Sequence, residues 1–321
     1  MGQSGLITEP QALPASLAPH KALRGLWESL QRVHSLHDQQ NRHRGLLLYG
    51  ASGEGKTYAV TQYQSQFREH KTEETTITPV FYFRLSESKK SVDDFLTVLI
   101  RALGTTPPKG RPQAGALLAQ FKVLVQEKKI ELFIIDEIQQ VLPKSDGQRA
   151  LEMVKFLCAL IDCEGLKTSF VFVGSERAMR LITYGEAGST VDDNEQLSRR
   201  ILRPVKLTRL KPRTQEWVDC VNFFVQGTGL EKLSVPEDKE IFDRVYIAYT
   251  ERSFSTLQDL FHCDVSQAVA DKKELLQWLA RNYELAGKSE INPFSLEDLD
   301  LHDVDAFIKG YKQNPEKPYS H

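Results

Sequence analysis

The sequence is short of the residues that mark several protein classes. It has four cysteines in 321 residues, at Cys158, Cys163, Cys220 and Cys263. None forms a Cys-x-x-Cys pair or stands with histidine at zinc-ligand spacing, so neither a disulfide framework nor a structural zinc is expected. The four read as small core or surface residues in a reducing compartment. No apolar run reaches the ~18–20 residues of a membrane span. Met1 to Pro14 lacks the basic-then-hydrophobic order of a secretory signal, so the expected location is the cytoplasm. An excess of one charge is also missing. The net charge is −2, so contact with nucleic acid requires a local basic stripe rather than bulk charge. Internal repeats and low-complexity tracts are lacking as well.

What remains is ordinary for a globular chain, 40% hydrophobic and 26% charged, and long enough for one large domain or two modest ones. Residues 1–19, with Gly5, Pro10, Pro14 and Pro19, read as an extended arm. Leu23, Leu26, Trp27, Leu30, Val33 and Leu36 fall at helical spacing within His20 to His37. Leu46-Leu47-Leu48-Tyr49 then reads as a short buried strand ending at glycine. Helices are predicted from Gly55 to His70, Val92 to Leu103, Ala114 to Lys128 and Gln148 to Asp162. Strands are predicted at Val80 to Leu85, Leu132 to Ile135, Ser169 to Val173 and Pro204 to Leu207. This alternation predicts an α/β fold with a parallel sheet flanked by helices and right-handed crossovers. From Thr214 to Gly287 only helical patterns occur, as in Trp217, Val218, Val221, Phe224 and Val225. The expected organisation is an arm over 1–19, an α/β core over 20–211, a smaller all-helical lid over 212–287 and an acidic tail over 288–321. His34, His37 and His43 have no ligand partners at metal spacing and read as surface residues.

The most specific motif is Gly50-Ala51-Ser52-Gly53-Glu54-Gly55-Lys56-Thr57, which fits G-x-x-x-x-G-K-[ST] between an apolar strand and a helical pattern. Its glycines let main-chain N–H groups wrap around phosphate oxygens, and the following helix adds its positive end. Lys56 is expected to reach the β- and γ-phosphates of ATP, and the Thr57 hydroxyl to ligate Mg²⁺. The strand Leu132 to Ile135 ends in Asp136-Glu137. A strand buried on both faces delivers Asp136 to the carboxyl edge of the sheet as a Mg²⁺ ligand, and Glu137 as the group that orients and deprotonates water. Ser175, after Phe172-Val173-Gly174, reads as a polar sensor at the next strand tip, or equally as a cap for the helix that follows. Arg199-Arg200, before the last core strand, offers planar bidentate cations for a γ-phosphate. Arg200 is the first choice and Arg199 the second, and a surface helix end is the plainer alternative. Lys89-Lys90 and Lys109-Gly110-Arg111 are candidate DNA-phosphate contacts, or simply solvated loop cations.

With these residues in hand, the chain resembles the TniB/TnsC family of transposition regulators, which are AAA+ ATPases. The resemblance runs from about Ala22 to Lys273. It is carried by Gly45 to Gly50 leading into the phosphate loop, Leu132 to Glu137, Phe172-Val173-Gly174-Ser175-Glu176, and Asn194-Glu195-Gln196-Leu197-Ser198-Arg199-Arg200. The resemblance implies homo-oligomerisation on double-stranded DNA with ATP, as a ring or helical filament. It implies a link between a TniQ-type target-selection protein and the transposase, with hydrolysis resetting the assembly. By position it assigns Lys109 to a DNA-facing loop, Gln120 to a second contact and Arg200 to a finger that reaches the neighbour's nucleotide. Glu251 to Leu257 has no arginine at the helix start where many AAA+ proteins carry a second sensor, and Arg252 is expected to point elsewhere. The acidic tail reads as disordered or as a peptide that docks the transposase through Phe294, Phe307 and Tyr311. A helicase loader or replication initiator of the same ATPase class is the alternative reading, although no winged-helix pattern follows the lid.

Overall fold

The computed structural model describes residues 18–39, 44–73, 75–87, 91–108, 110, 113–143, 148–183, 197–262, 269–286 and 289–313. The chain forms two compact units. One comprises 1–14, 25–51 and 56–207, and the other 15–24, 52–55 and 208–321.

The first unit is built on five parallel strands: β1 (Gly45–Gly50), β4 (Val80–Arg84), β5 (Leu132–Asp136), β6 (Ser169–Gly174) and β7 (Val205–Leu207). Their order is β4-β5-β6-β1-β7. A small antiparallel hairpin, β2 (His70–Lys71) with β3 (Thr76–Ile77), stands apart and was not expected, being two residues long on each side and exposed or half-buried. Composition explains the order. Leu132-Phe133-Ile134-Ile135 and Phe170-Val171-Phe172-Val173 are buried throughout, as strands covered on both faces must be. The half-exposed β4 and β7 take the edges. Register aligns Phe81, Phe133 and Phe170 across three strands. Their rings follow one another at 5.0 and 6.0 Å, and burying Phe133 and Phe170 contributes about 1.5–3 kcal/mol each.

Helices cover this sheet through their apolar faces. The α3 helix (Val92–Ala102) buries Phe95, Leu96, Leu99 and Ile100. Its N-cap Ser91 accepts the Asp94 N–H at 3.1 Å, which satisfies one orphan donor of the first turn. Leu117, Phe121, Leu124 and Val125 line the buried face of α4 (Ala114–Glu127), and Met153, Val154, Leu157 and Cys158 that of α5 (Gln148–Ile161). A single turn, α6 (Arg180–Thr183), follows β6. In α1 (Lys21–His34), His34 is buried rather than superficial. It shares hydrogen bonds with the Tyr63 hydroxyl at 3.0 Å and Glu131 at 3.2 Å. That bond holds the Glu131 carboxyl below its usual value. Tyr63 belongs to α2 (Lys56–Ser65), the helix that follows the phosphate loop. Cys158, Cys163 and Cys220 are free and buried, while Cys263 and His43 lie outside the described residues.

The second unit is helical: α7 (Gln215–Gln226), α8 (Lys239–Arg252), α9 (Phe254–His262), α10 (Lys272–Ala286) and α11 (Leu301–Gln313). Trp217, Tyr246 and Tyr249 are fully buried, and each polar tip has a partner. The Trp217 Nε1–H donates to Phe242 O, the Tyr246 hydroxyl donates to Leu210 O, and the Tyr249 hydroxyl accepts from Leu210 N–H, at 3.0–3.1 Å. Over the described residues 289–313, the acidic segment corrects the expectation of a disordered tail. Phe294, Ile308 and Tyr311 are core residues of this unit, and 301–313 is helix. Buried Arg244 explains why, since its guanidinium takes the carbonyls of Pro293 (2.6 Å) and Leu299 (3.0 Å). The Arg213 fork binds Asp243 and Asp305 together.

Candidate functional site

The phosphate loop leaves the carboxyl end of β1 and runs into α2. Ala51 and Ser52 are exposed, whereas Lys56 is nearly buried. The Lys56 Nζ donates to Gly50 O at 2.9 Å and Ala51 O at 2.5 Å, so its ammonium sits in the mouth of the loop. No acidic residue occupies the first turn of α2 itself. Gly53 (φ +84°) shows why glycine is required, because a Cβ there would lie 2.1 Å from Arg252 O. Within the second unit the Phe254 N–H donates to Gly53 O at 3.1 Å. The Glu54 carboxylate is buried and accepts from the Ser253 hydroxyl at 2.9 Å and from Arg209 Nε at 3.2 Å. Expected among the nucleotide-binding residues, Glu54 has its carboxylate committed to that contact, which leaves its main chain for the loop. Arg252 pairs with Asp259 at 2.8 Å and with Ala286 O at 3.0 Å.

The acidic pair stands at the end of β5. Asp136, 1% exposed, accepts from the Thr57 hydroxyl at 2.6 Å and the Tyr82 hydroxyl at 2.9 Å on one oxygen, and from the Glu137 N–H at 2.8 Å on the other. Burial first, and then the Asp136 charge, push the Tyr82 phenol above its ordinary range, so it stays a donor. Glu137 holds a left-handed backbone (φ 60°) immediately after the strand. Its Oε1 faces Arg84 Nη2 at 3.4 Å, and its Oε2 accepts from Gln139 Nε2 at 2.5 Å. Parallel register puts Arg84 beside Asp136. A hydroxyl and a carboxylate of this kind are the hard oxygen donors that Mg²⁺ takes, and the Lys56 ammonium suits a phosphate, so the residues present fit Mg²⁺ and the phosphates of a nucleotide.

Ser175 follows β6 at the same edge. Its hydroxyl makes no capping bond to the short helical turn Glu176–Met179, and its N–H donates to Gln139 Oε1 at 3.0 Å. Arg200 lies elsewhere. Ile201 bridges Gly45 at the amino end of β1, about 17 Å from Gly50 at ~3.3 Å per residue. No arginine side chain spans that distance, so Arg200 does not serve its own loop. It donates through Nε to Asp162 at 2.5 Å, and this pairing raises the guanidinium's affinity for its proton further. Arg199 is exposed on the same helical turn. Lys89, Lys90, Lys109 and Arg111 lie outside the described residues. Gln120 donates to Thr106 O at 3.1 Å, so its amide braces the segment before Lys109. Sequence reading missed Tyr82, Arg84 and Gln139. Register was the only available signal for the first two, and none marked the third.

The family model for the bacterial TniB protein matches residues 15–211, well over half of the chain. The chain belongs to the TniB family. TniB proteins are TnsC-like AAA+ proteins of transposition. The strand order above, with the phosphate loop after β1 and the acidic pair after β5, is the AAA+ architecture. No curated protein matches this TniB chain. Among solved structures, it is similar to Cdc6p from Pyrobaculum aerophilum at 12% identity, covering 98% of this chain and 85% of that one, with TM-score 0.46. It is also similar to ORC2 of Aeropyrum pernix in its ADP form at 14% identity, covering 95% and 84%, with TM-score 0.49. The assignment rests on the family match and on the chain's own topology. Among the described residues, no helix is long and apolar enough to cross a membrane.

Proposed function

We propose that this TniB protein is an ATP-dependent regulator of DNA transposition. It oligomerises on double-stranded DNA as a ring or filament and connects a TniQ-type target-selection protein to the transposase, and ATP hydrolysis resets the assembly. The observation that carries this reading is the Thr57–Asp136 contact, with Glu137 on the next residue and Lys56 in the loop mouth. Lys56 and the loop amides hold the β- and γ-phosphates, and Thr57 and Asp136 hold Mg²⁺. Mg²⁺ held by Thr57 and Asp136 would supply neutralisation of charge developing on the phosphate oxygens. Glu137 orients the attacking water and takes its proton. Ser175 senses the γ-phosphate at the strand tip. Arg200, which does not reach its own loop, serves the nucleotide of a neighbouring protomer, with Arg199 beside it. Lys109, Arg111, Lys89, Lys90 and Gln120 face DNA through backbone contacts, so sequence preference is weak.

Electron microscopy of the full chain with double-stranded DNA and a slowly hydrolysed ATP analogue tests this. Rings or filaments that need both ligands are expected. Discrete monomers under all conditions would remove the reading.

A further inference from the structure

The two oxygens of Glu137 are not held alike. Arg84 is largely solvent-exposed and approaches Oε1 at 3.4 Å, a loose contact that solvent screens. Gln139 Nε2 meets Oε2 at 2.5 Å. The orientation of that amide is fixed by its other end. The Ser175 main-chain N–H points at Gln139 from 3.0 Å and can only donate, so the oxygen of the amide must face it. The NH₂ end must then face the carboxylate, and a flipped amide would present oxygen to oxygen. The corner is shaped to admit this side chain. Gly174 carries no Cβ, and one built there would stand 2.5 Å from Gln139 Oε1 and 2.8 Å from Ala178 Cβ. Gln139 therefore forms a strut from the end of β6 to the carboxylate after β5. Glu137 needs such support, because it sits on a left-handed residue beyond the last strand pairing.

We infer that Gln139 is a positioning residue for ATP hydrolysis. It holds the Glu137 carboxylate in the orientation that prepares water, and it ties that orientation to the main chain at Ser175. Displacement of the β6 tip is thereby passed to the base through one side chain. The inference rests on the proposed role of Glu137, and the test separates the two.

The full chain is assayed for ATP hydrolysis with DNA, as wild type and as Glu137→Gln, Gln139→Met, Gln139→Glu and the double variant Glu137→Gln/Gln139→Met. Circular dichroism and thermal melting confirm folding. Gln139→Met keeps the length and removes both polar ends. Gln139→Glu keeps the acceptor and removes the donor, and it serves if the methionine variant fails to fold. On the order of a 10- to 100-fold loss in kcat is expected for each, with KM for ATP changed less than about twofold, as for a misplaced catalytic group. In the Glu137→Gln background, Gln139→Met should lower the residual rate no further, because the group it positions is gone. Wild-type kcat in a folded Gln139 variant would overturn the inference. So would a loss confined to KM, or an equal further loss in the Glu137→Gln background. Undiminished hydrolysis by Glu137→Gln would instead overturn the reading of Glu137 itself.

Discussion

The Thr57 hydroxyl donates to Asp136 Oδ2 at 2.6 Å. These residues are far apart in sequence and come from the first turn of α2 and the last residue of β5. The contact brings both halves of the expected Mg²⁺ site to one point. Tyr82 and the Glu137 N–H complete the shell around the carboxylate. Arg84, on the neighbouring strand, faces Glu137 at 3.4 Å.

Arg200 pairs with Asp162 near the amino end of β1, and its proposed role at a neighbouring protomer's nucleotide can be tested by mixing variants. Arg200→Ala and Glu137→Gln chains are each expected to be hydrolysis-deficient on DNA. A mixture should recover activity, because some interfaces pair an intact Glu137 with an intact Arg200. Rates in mixtures that never exceed the sum of the two variants would place Arg200 outside the neighbour's site.

The contact of the Glu54 carboxylate with Ser253 and Arg209 is expected to contribute to stability. Its side chain is 1% exposed, and Arg209 supplies its cationic partner at 3.2 Å. Arg209→Ala strands a buried carboxylate and should cost about 1–3 kcal/mol. Urea unfolding of the nucleotide-free chain measures this. A change under about 0.5 kcal/mol would mean that Ser253 and the remaining environment suffice.

Much of this was legible in sequence because chemistry and pattern coincided. The phosphate loop lies between an apolar strand and a helix, and Asp136-Glu137 ends the most hydrophobic run, so composition and spacing led to the same edge of the sheet. The boundaries of α5 and β7 differ from expectation by one residue each, whereas α2 ends at Ser65 rather than at His70, which lies in β2. Legibility failed where pairing partners are distant. Nothing near Gln139 says that it reaches Ser175. Nothing near Glu54 says that Ser253 and Arg209 would hold its carboxylate. The tail was misread for a related reason. Its acidity looked like solvated charge, whereas Asp305 answers Arg213 and the main chain at 293 and 299 answers Arg244.

That acidic contact is expected to make stability depend on pH. Lys309 first, and then Arg213, hold the Asp305 carboxyl well below its ordinary value of 3.8, and Lys239 lies 3.5 Å away. A carboxyl whose proton affinity is lowered by folding stabilises the fold above its unfolded value, and that contribution fades as pH falls through the folded one. Between about pH 5 and pH 2, wild type should lose more thermal stability than Asp305→Asn. Parallel losses in the two proteins would show that the ion pairs are worth nothing in solution.

Lys109→Ala should weaken DNA binding about equally on unrelated sequences and reduce the slope of log K against log salt by about 1. Fluorescence anisotropy over a salt series measures this. An unchanged slope would remove Lys109 from the interface.

Isothermal titration calorimetry measures whether adenine nucleotide is held by the loop from Gly50 to Thr57. Wild type should bind ATP with an affinity that Mg²⁺ strengthens, and folded Lys56→Ala should bind none detectably. Absence of binding by wild type, with or without Mg²⁺, or equal binding by Lys56→Ala, would contradict the account.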